Sequence, residues 1–141
     1  MILEHAVDAS LQVERLLFSV RAEIDVAEAR QQARLLAERH GFSRVRAYGL
    51  ATAVSELANN LVFHASRGGR IALAAHERRI ELVVEDDGPG IADLTLAMED
   101  GYSTVGSLGC GLPGTQRLVD QFAITSVFGK GTRVECSICR S

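Results

Sequence analysis

The chain has 141 residues, room for one compact domain but not two. At this size roughly 68–70% of the unfolded surface can be buried without disulfide or metal support. With 47% hydrophobic and 23% charged residues it is neither disordered nor fibrous, and a formal net charge of −3 disfavours a nucleic-acid binder. No apolar run approaches the ~20 residues of a membrane span, and the first residues lack the pattern of a secretory leader. Three cysteines suit a reducing compartment, so a cytoplasmic domain over residues 1–141 is expected.

Residues 1–12 are weakly patterned and are read as a disordered lead or a partner contact. From Val13 to Arg21, alternation brings Leu16, Phe18 and Val20 to one face, which predicts a half-buried strand. Asp25 with Glu28 resembles a capping box opening a helix, with Val26, Ala29, Ala33, Leu36 and Ala37 inward and Gly41 as its stop. Ser43 can cap a second helix to about Ala65, with Leu50, Val54, Leu57 and Leu61 as its apolar stripe. Strands are predicted over Ile71–His76 and around Ile80, Leu82 and Val84. A short helix over Leu94–Glu99 precedes Gly101–Gly114, where five of the 13 glycines fall and a mobile loop is expected. Pro113 suits the first turn of a further helix through Phe122. A hairpin closes the chain, with strands over Ala123–Phe128 and Thr132–Ile138 about the turn Gly129-Lys130-Gly131. The order predicts an α+β two-layer sandwich, a mixed sheet covered on one face by about three helices.

Three constellations could carry chemistry. Glu56 and Asn60 stand one turn apart on the second helix beside its apolar stripe. A carboxamide oxygen is a hard neutral metal ligand, and a neighbouring carboxylate can take a proton, so the pair suits a magnesium-phosphate site. Glu85-Asp86-Asp87-Gly88-Pro89-Gly90 follows a hydrophobic strand, where a carboxylate can accept from a ligand amine while glycines admit close backbone approach. Gly106 to Gly114 leads into a helix whose free N–H groups attract phosphate. Alone, each also fits a solvated helix face, an acidic turn or a plain loop. Gly109, Gly111 and Gly114 match the glycine spacing of dinucleotide folds, but no buried strand precedes them and no βαβ unit surrounds them. A Walker loop is excluded because Gly131 follows Lys130, the chain's single lysine.

In this order and spacing the three constellations resemble the GHKL superfamily, which includes histidine-kinase catalytic domains and type II topoisomerase ATPase subunits. SELANNLVFHA, EDDGPGI and especially MEDGYSTVGSLGCGLPGTQRLVDQF are similar to the RsbT-type serine protein kinases of bacterial stress-response modules. The likeness runs from about Val20 to Val134, and the long third motif is its most specific part. It implies the Bergerat ATP-binding fold with ATP and Mg2+ as cofactors.

By resemblance, Asn60 matches the magnesium-chelating asparagine, Glu56 the acidic residue that polarises the attacking hydroxyl, and Asp86 the aspartate bonded to the adenine amine. Gly88 and Gly90 match the first glycine box and Gly109 and Gly111 the second, with Gly106, Cys110 and Leu112 as further nucleotide contacts. Thr132 falls where a threonine supports the adenine end. Asn59 stands where close relatives tend to have arginine, and Cys110 takes a small-residue position. The implied partners are a STAS-domain antagonist (RsbS- or RsbR-like), phosphorylated on serine or threonine, and then a PP2C-like phosphatase, with no nucleic acid and no membrane. A sigma-binding anti-sigma kinase and a nucleotide-gated binding module without essential kinase activity are the alternatives. The nucleotide reading requires Glu56, Asn60, Asp86 and Gly111 to line one cavity.

His64, at a predicted helix end, is read as structural. Cys136 and Cys139 are three residues apart on a predicted strand, so they should point to opposite faces rather than share a metal.

Overall fold

The computed structural model describes residues 2–8, 13–64, 68–86, 111–127 and 131–141. Among these residues six strands form one sheet: β1 (Ile2–Asp8), β2 (Val13–Val20), β3 (Gly69–Ala75), β4 (Arg79–Asp86), β5 (Gln121–Val127) and β6 (Gly131–Cys139). Among the described residues three helices accompany it: α1 (Glu23–Arg39), α2 (Arg44–His64) and α3 (Gly111–Leu118). The two-layer α+β sandwich is as the sequence predicts. Alternate residues of four strands turn toward the helices, and Phe18, Leu73, Leu82 and Ile138 are buried there with Leu36 of α1 and Leu57 of α2.

The sheet order is β1-β2-β3-β4-β6-β5, and every described pairing is antiparallel, which corrects the expected mixed sheet. Two helices between β2 and β3 return the chain to the end it left, so β3 must run back along β2. β4 and β5 do share a direction, but β6 lies between them and pairs with both.

Three local readings shift. Ile2–Asp8, weakly patterned in sequence, is an edge strand on β2; it is exposed along much of its length, so no burial alternation marks it. Asp25 does not cap α1 from outside. It is the third residue within the helix, and its carboxylate reaches back to accept from the N–H groups of Arg21 (3.0 Å) and Ala22 (3.2 Å). Glu28 accepts instead from the Ile2 N–H at 3.0 Å, tying β1 to α1. Finally, α3 ends at Leu118, and Phe122 belongs to β5 opposite Cys136, since pairing with β6 satisfies its backbone while its ring still reaches the core.

The two helix boundaries between α1 and α2 follow prediction. Gly41, at φ +83°, ends α1 with the Phe42 N–H bonded to the Ala37 carbonyl at 2.9 Å. The Ser43 hydroxyl accepts from the Arg46 N–H at 3.2 Å and caps α2.

The molecule has two distinguishable ends. At one, Val20, Gly69 and Asp86 stand side by side in the ladder where α2 delivers the chain to β3. At the other, Arg46 bonds the Asp120 carboxylate at 2.9 Å, and the same oxygen accepts from the Cys139 N–H at 2.7 Å. At the first end Gly68 adopts φ +68°, and a Cβ there would meet the Val20 carbonyl oxygen at 2.2 Å. Gly68→Ala should therefore cost about 1–3 kcal/mol, read as a fall in Tm of roughly 4–12 °C by calorimetry.

Candidate functional site

On α2, Gly49, Ala53, Glu56 and Asn60 succeed one another at helical spacing and form one stripe. The direction of that stripe is set by Gly49: a Cβ there would lie 3.8 Å from the Leu118 carbonyl oxygen and 4.0 Å from Ile138 Cδ1. It thus faces the seam between α3 and the sheet. Buried Leu50, Val54 and Leu57 flank it, while Glu56 and Asn60 are half-buried. Both polar residues lie in the second half of α2, toward the Asp86 end. Asn59 is half-buried on a different face, about 100° around the helix from Asn60.

The third helix runs the opposite way. Its last residue, Leu118, sits beside Gly49, and Asp120 continues to the far end. Gly111 therefore opens α3 on the Asp86 side, where the first helical N–H groups have no intrahelical partners.

Asp86 is the last residue of β4, opposite Gly69. Strand alternation decides where it points. Val84 is buried under the helices, and Glu85 pairs on the open face with Arg70 (3.5 Å) and Arg133. Asp86 accordingly returns to the helix side. In β6, Val134 is buried and Arg133 bonds Glu135 on the open face at 2.6 Å, so Thr132 shares the helix side as well. The register that sets Glu85 opposite Arg133 brings Asp86 and Thr132 to its next step. Glu56, Asn60, Asp86, Thr132 and the start of α3 are thus gathered at one end, between helices and sheet.

Gly88, Gly90, Gly106, Gly109 and Cys110 lie outside the described residues, as do the predicted helix over 94–99 and the turn at 129–130. Gly111 and Leu112 fall in the first turn of α3. A depression of about 350 Å³ exists on the open face, lined by Arg79, Glu81, Val83, Arg133 and Glu135 among others. It lies across the sheet from the stripe on α2 and is a separate feature.

His64 is the last residue of α2. Cys136 is buried and Cys139 exposed, the opposite placement their spacing predicts, and burial pushes the Cys136 thiol up to about 12.

One cluster had no sequence signal, because three separate elements build it. Glu14 on β2 is buried, and its carboxylate accepts from Arg39 at 2.8 Å and contacts the imidazoles of His40 (2.8 Å) and His5 (2.6 Å). The Arg39 bonds, opposed by burial and assisted by His40 and His5, hold the carboxyl down at about 2.

Residues 18–138 match the histidine kinase-like ATPase domain family. The serine/threonine-protein kinase RsbT of Bacillus subtilis is 42% identical over 119 residues, 82% of this chain and 90% of that protein. The anti-sigma F factor of Clostridium acetobutylicum is 32% identical over 89 residues, 58% of this chain and 62% of that protein. Among solved structures, the mycobacterial sensor histidine kinase MprB superposes with a TM-score of 0.52 at 23% identity, over 66% of this chain and 71% of that one, a likeness of fold. The chain belongs to the histidine kinase-like ATPase family and, within it, to the RsbT-type serine/threonine-protein kinases.

Proposed function

We propose that this chain is an ATP-dependent serine/threonine protein kinase of a bacterial partner-switching module. Its substrate would be a serine or threonine of a STAS-domain antagonist, RsbS- or RsbR-like, and its later partner a PP2C-like phosphatase. The observation that carries the reading is the convergence of Glu56, Asn60, Asp86, Thr132 and the start of α3 at one end of the molecule. These are the donor types a magnesium nucleotide needs: a hard carboxamide oxygen, a carboxylate for an exocyclic amine, and helix N–H groups for phosphate.

Each residue has a definite task. Asp86 accepts from the adenine amine and so selects the base, with Thr132 beside it. Asn60 would hold Mg2+, which when bound supplies positive charge against the phosphates. Glu56 orients the substrate hydroxyl and takes its proton as that oxygen bonds to the γ-phosphorus and ADP departs. The glycines of 88–90 and 106–111 would let backbone close over the phosphates and exclude water.

Incubation with labelled ATP, magnesium and a STAS protein from the same organism tests the activity. Phosphoserine or phosphothreonine on that partner is the expected product, and its absence at high enzyme concentration refutes the reading. The likeness to an anti-sigma factor supports a second reading, capture of a sigma factor. A pull-down offering sigma factor and PP2C-like phosphatase together decides between them. Among the described residues no helix is long and apolar enough to cross a membrane, and a cytoplasmic location fits the proposed partners.

A further inference from the structure

We infer that Gly131 is a positioning residue for Asp86, and that the absence of a side chain at 131 sets the base selectivity of the candidate nucleotide site. The inference deepens the nucleotide reading and rests on it. Gly131 opens β6 at φ +115°, a backbone conformation that side-chain-bearing residues rarely adopt. A Cβ there would meet three atoms of one residue: the Asp86 carbonyl oxygen at 2.2 Å, its carbonyl carbon at 3.2 Å and its Oδ1 at 3.4 Å.

The first two are backbone atoms, so no side-chain rotation relieves the collision. Relief requires β4 and β6 to part where they meet at Asp86. From Glu85 and Arg133 to Arg79 and Cys139 the same two strands are continuously paired, so the displacement concentrates on Asp86 itself. The carboxylate is then carried away from its present direction. A single charged hydrogen bond to an adenine amine is strongly directional, and guanine offers a carbonyl where adenine offers that amine. Moving the carboxylate should therefore erase the preference for adenine as well as weaken binding.

Calorimetric titration of ADP and GDP, each with magnesium, into wild type, Gly131→Ala and Gly41→Ala tests this. Gly41 is the control: it is equally dependent on a positive φ (+83°) but stands at the far end beside Arg140, with no atom closer than 3.6 Å to its added Cβ. Measurement at about 15 °C, near the usual temperature of maximum stability, with added sucrose keeps the variants folded. The quantity read is the ratio of the two affinities, in which any loss of folded fraction cancels. Gly131→Ala should reduce the ADP preference by roughly tenfold or more, the weight of one charged hydrogen bond, and Gly41→Ala should leave it unchanged. If Gly131→Ala keeps the wild-type ratio, or Gly41→Ala loses it equally, Gly131 has no positioning role. A wild type that shows no preference for ADP would instead overturn the assignment of Asp86 to adenine, and this inference with it.

Discussion

Glu56→Gln is expected to slow phosphoryl transfer to a protein hydroxyl by about 10²–10⁴-fold while leaving nucleotide affinity nearly unchanged. The amide keeps the size and hydrogen-bonding reach of the carboxylate but cannot accept the hydroxyl proton. That loss corresponds to about 3–5 kcal/mol of barrier, large enough to separate from indirect effects of packing. Glu56 is half-buried on the stripe of α2 that faces α3 and the sheet, so the substitution needs no new space. Single-turnover transfer from labelled ATP, with affinity measured in parallel, is the required pair of observations. A variant that transfers phosphate at the wild-type rate would remove Glu56 from the chemistry. A variant inactive in transfer but fully competent in signalling would favour the nucleotide-gated binding module over the kinase.

Acid should destabilise this protein through Glu14, in a defined window. The carboxyl sits at about 2 in the folded chain against 4.5 ordinarily, so below 4.5 the unfolded chain binds the proton more readily. The stabilisation is complete above pH 4.5 and is lost as pH falls toward 2, by on the order of 3 kcal/mol in all. Glu14 is itself buried, but Arg39 and His5, which hold its proton off, stand partly in solvent, so this figure is an upper bound. Urea titrations across that window should show wild type losing this increment, whereas Glu14→Gln starts about 3 kcal/mol lower and lacks the corresponding acid slope. Equal slopes in both would show that other carboxylates govern the acid limb. Because His5 on β1 and His40 after α1 both contact Glu14, the variant should also loosen the edge strand, which amide exchange over residues 2–8 would report.

Legibility in the sequence followed the range of the interactions involved. Leu16, Phe18 and Val20 announce β2 because alternation is written in neighbouring residues, and Gly41 and Ser43 mark helix ends because capping acts within one turn. β1 is hidden for the converse reason: an edge strand exposed along much of its length needs no alternation, and pairing with β2 and the bond from Ile2 to Glu28 of α1 place it. Asp25 was legible as a cap but not in its position, since a carboxylate can serve the free N–H groups from outside the helix or from its third residue. Phe122 reads in sequence as the inward-facing end of a helix, and the ladder to β6 places it in a strand instead.

The same division holds for the site. Residue types and order, with Glu56 a turn before Asn60 and Asp86 closing a hydrophobic strand, are properties of the chain alone, because periodicity and the chemistry of oxygen ligands are local. That Asp86 and Thr132 turn to the same face as the α2 stripe, and that Gly131 admits the close approach of β6 to Asp86, depend on strand register and helix direction. The Glu14 cluster likewise exists only once β1, β2 and the end of α1 meet. Contacts between residues far apart in sequence leave no periodic trace, so only the packed chain displays them.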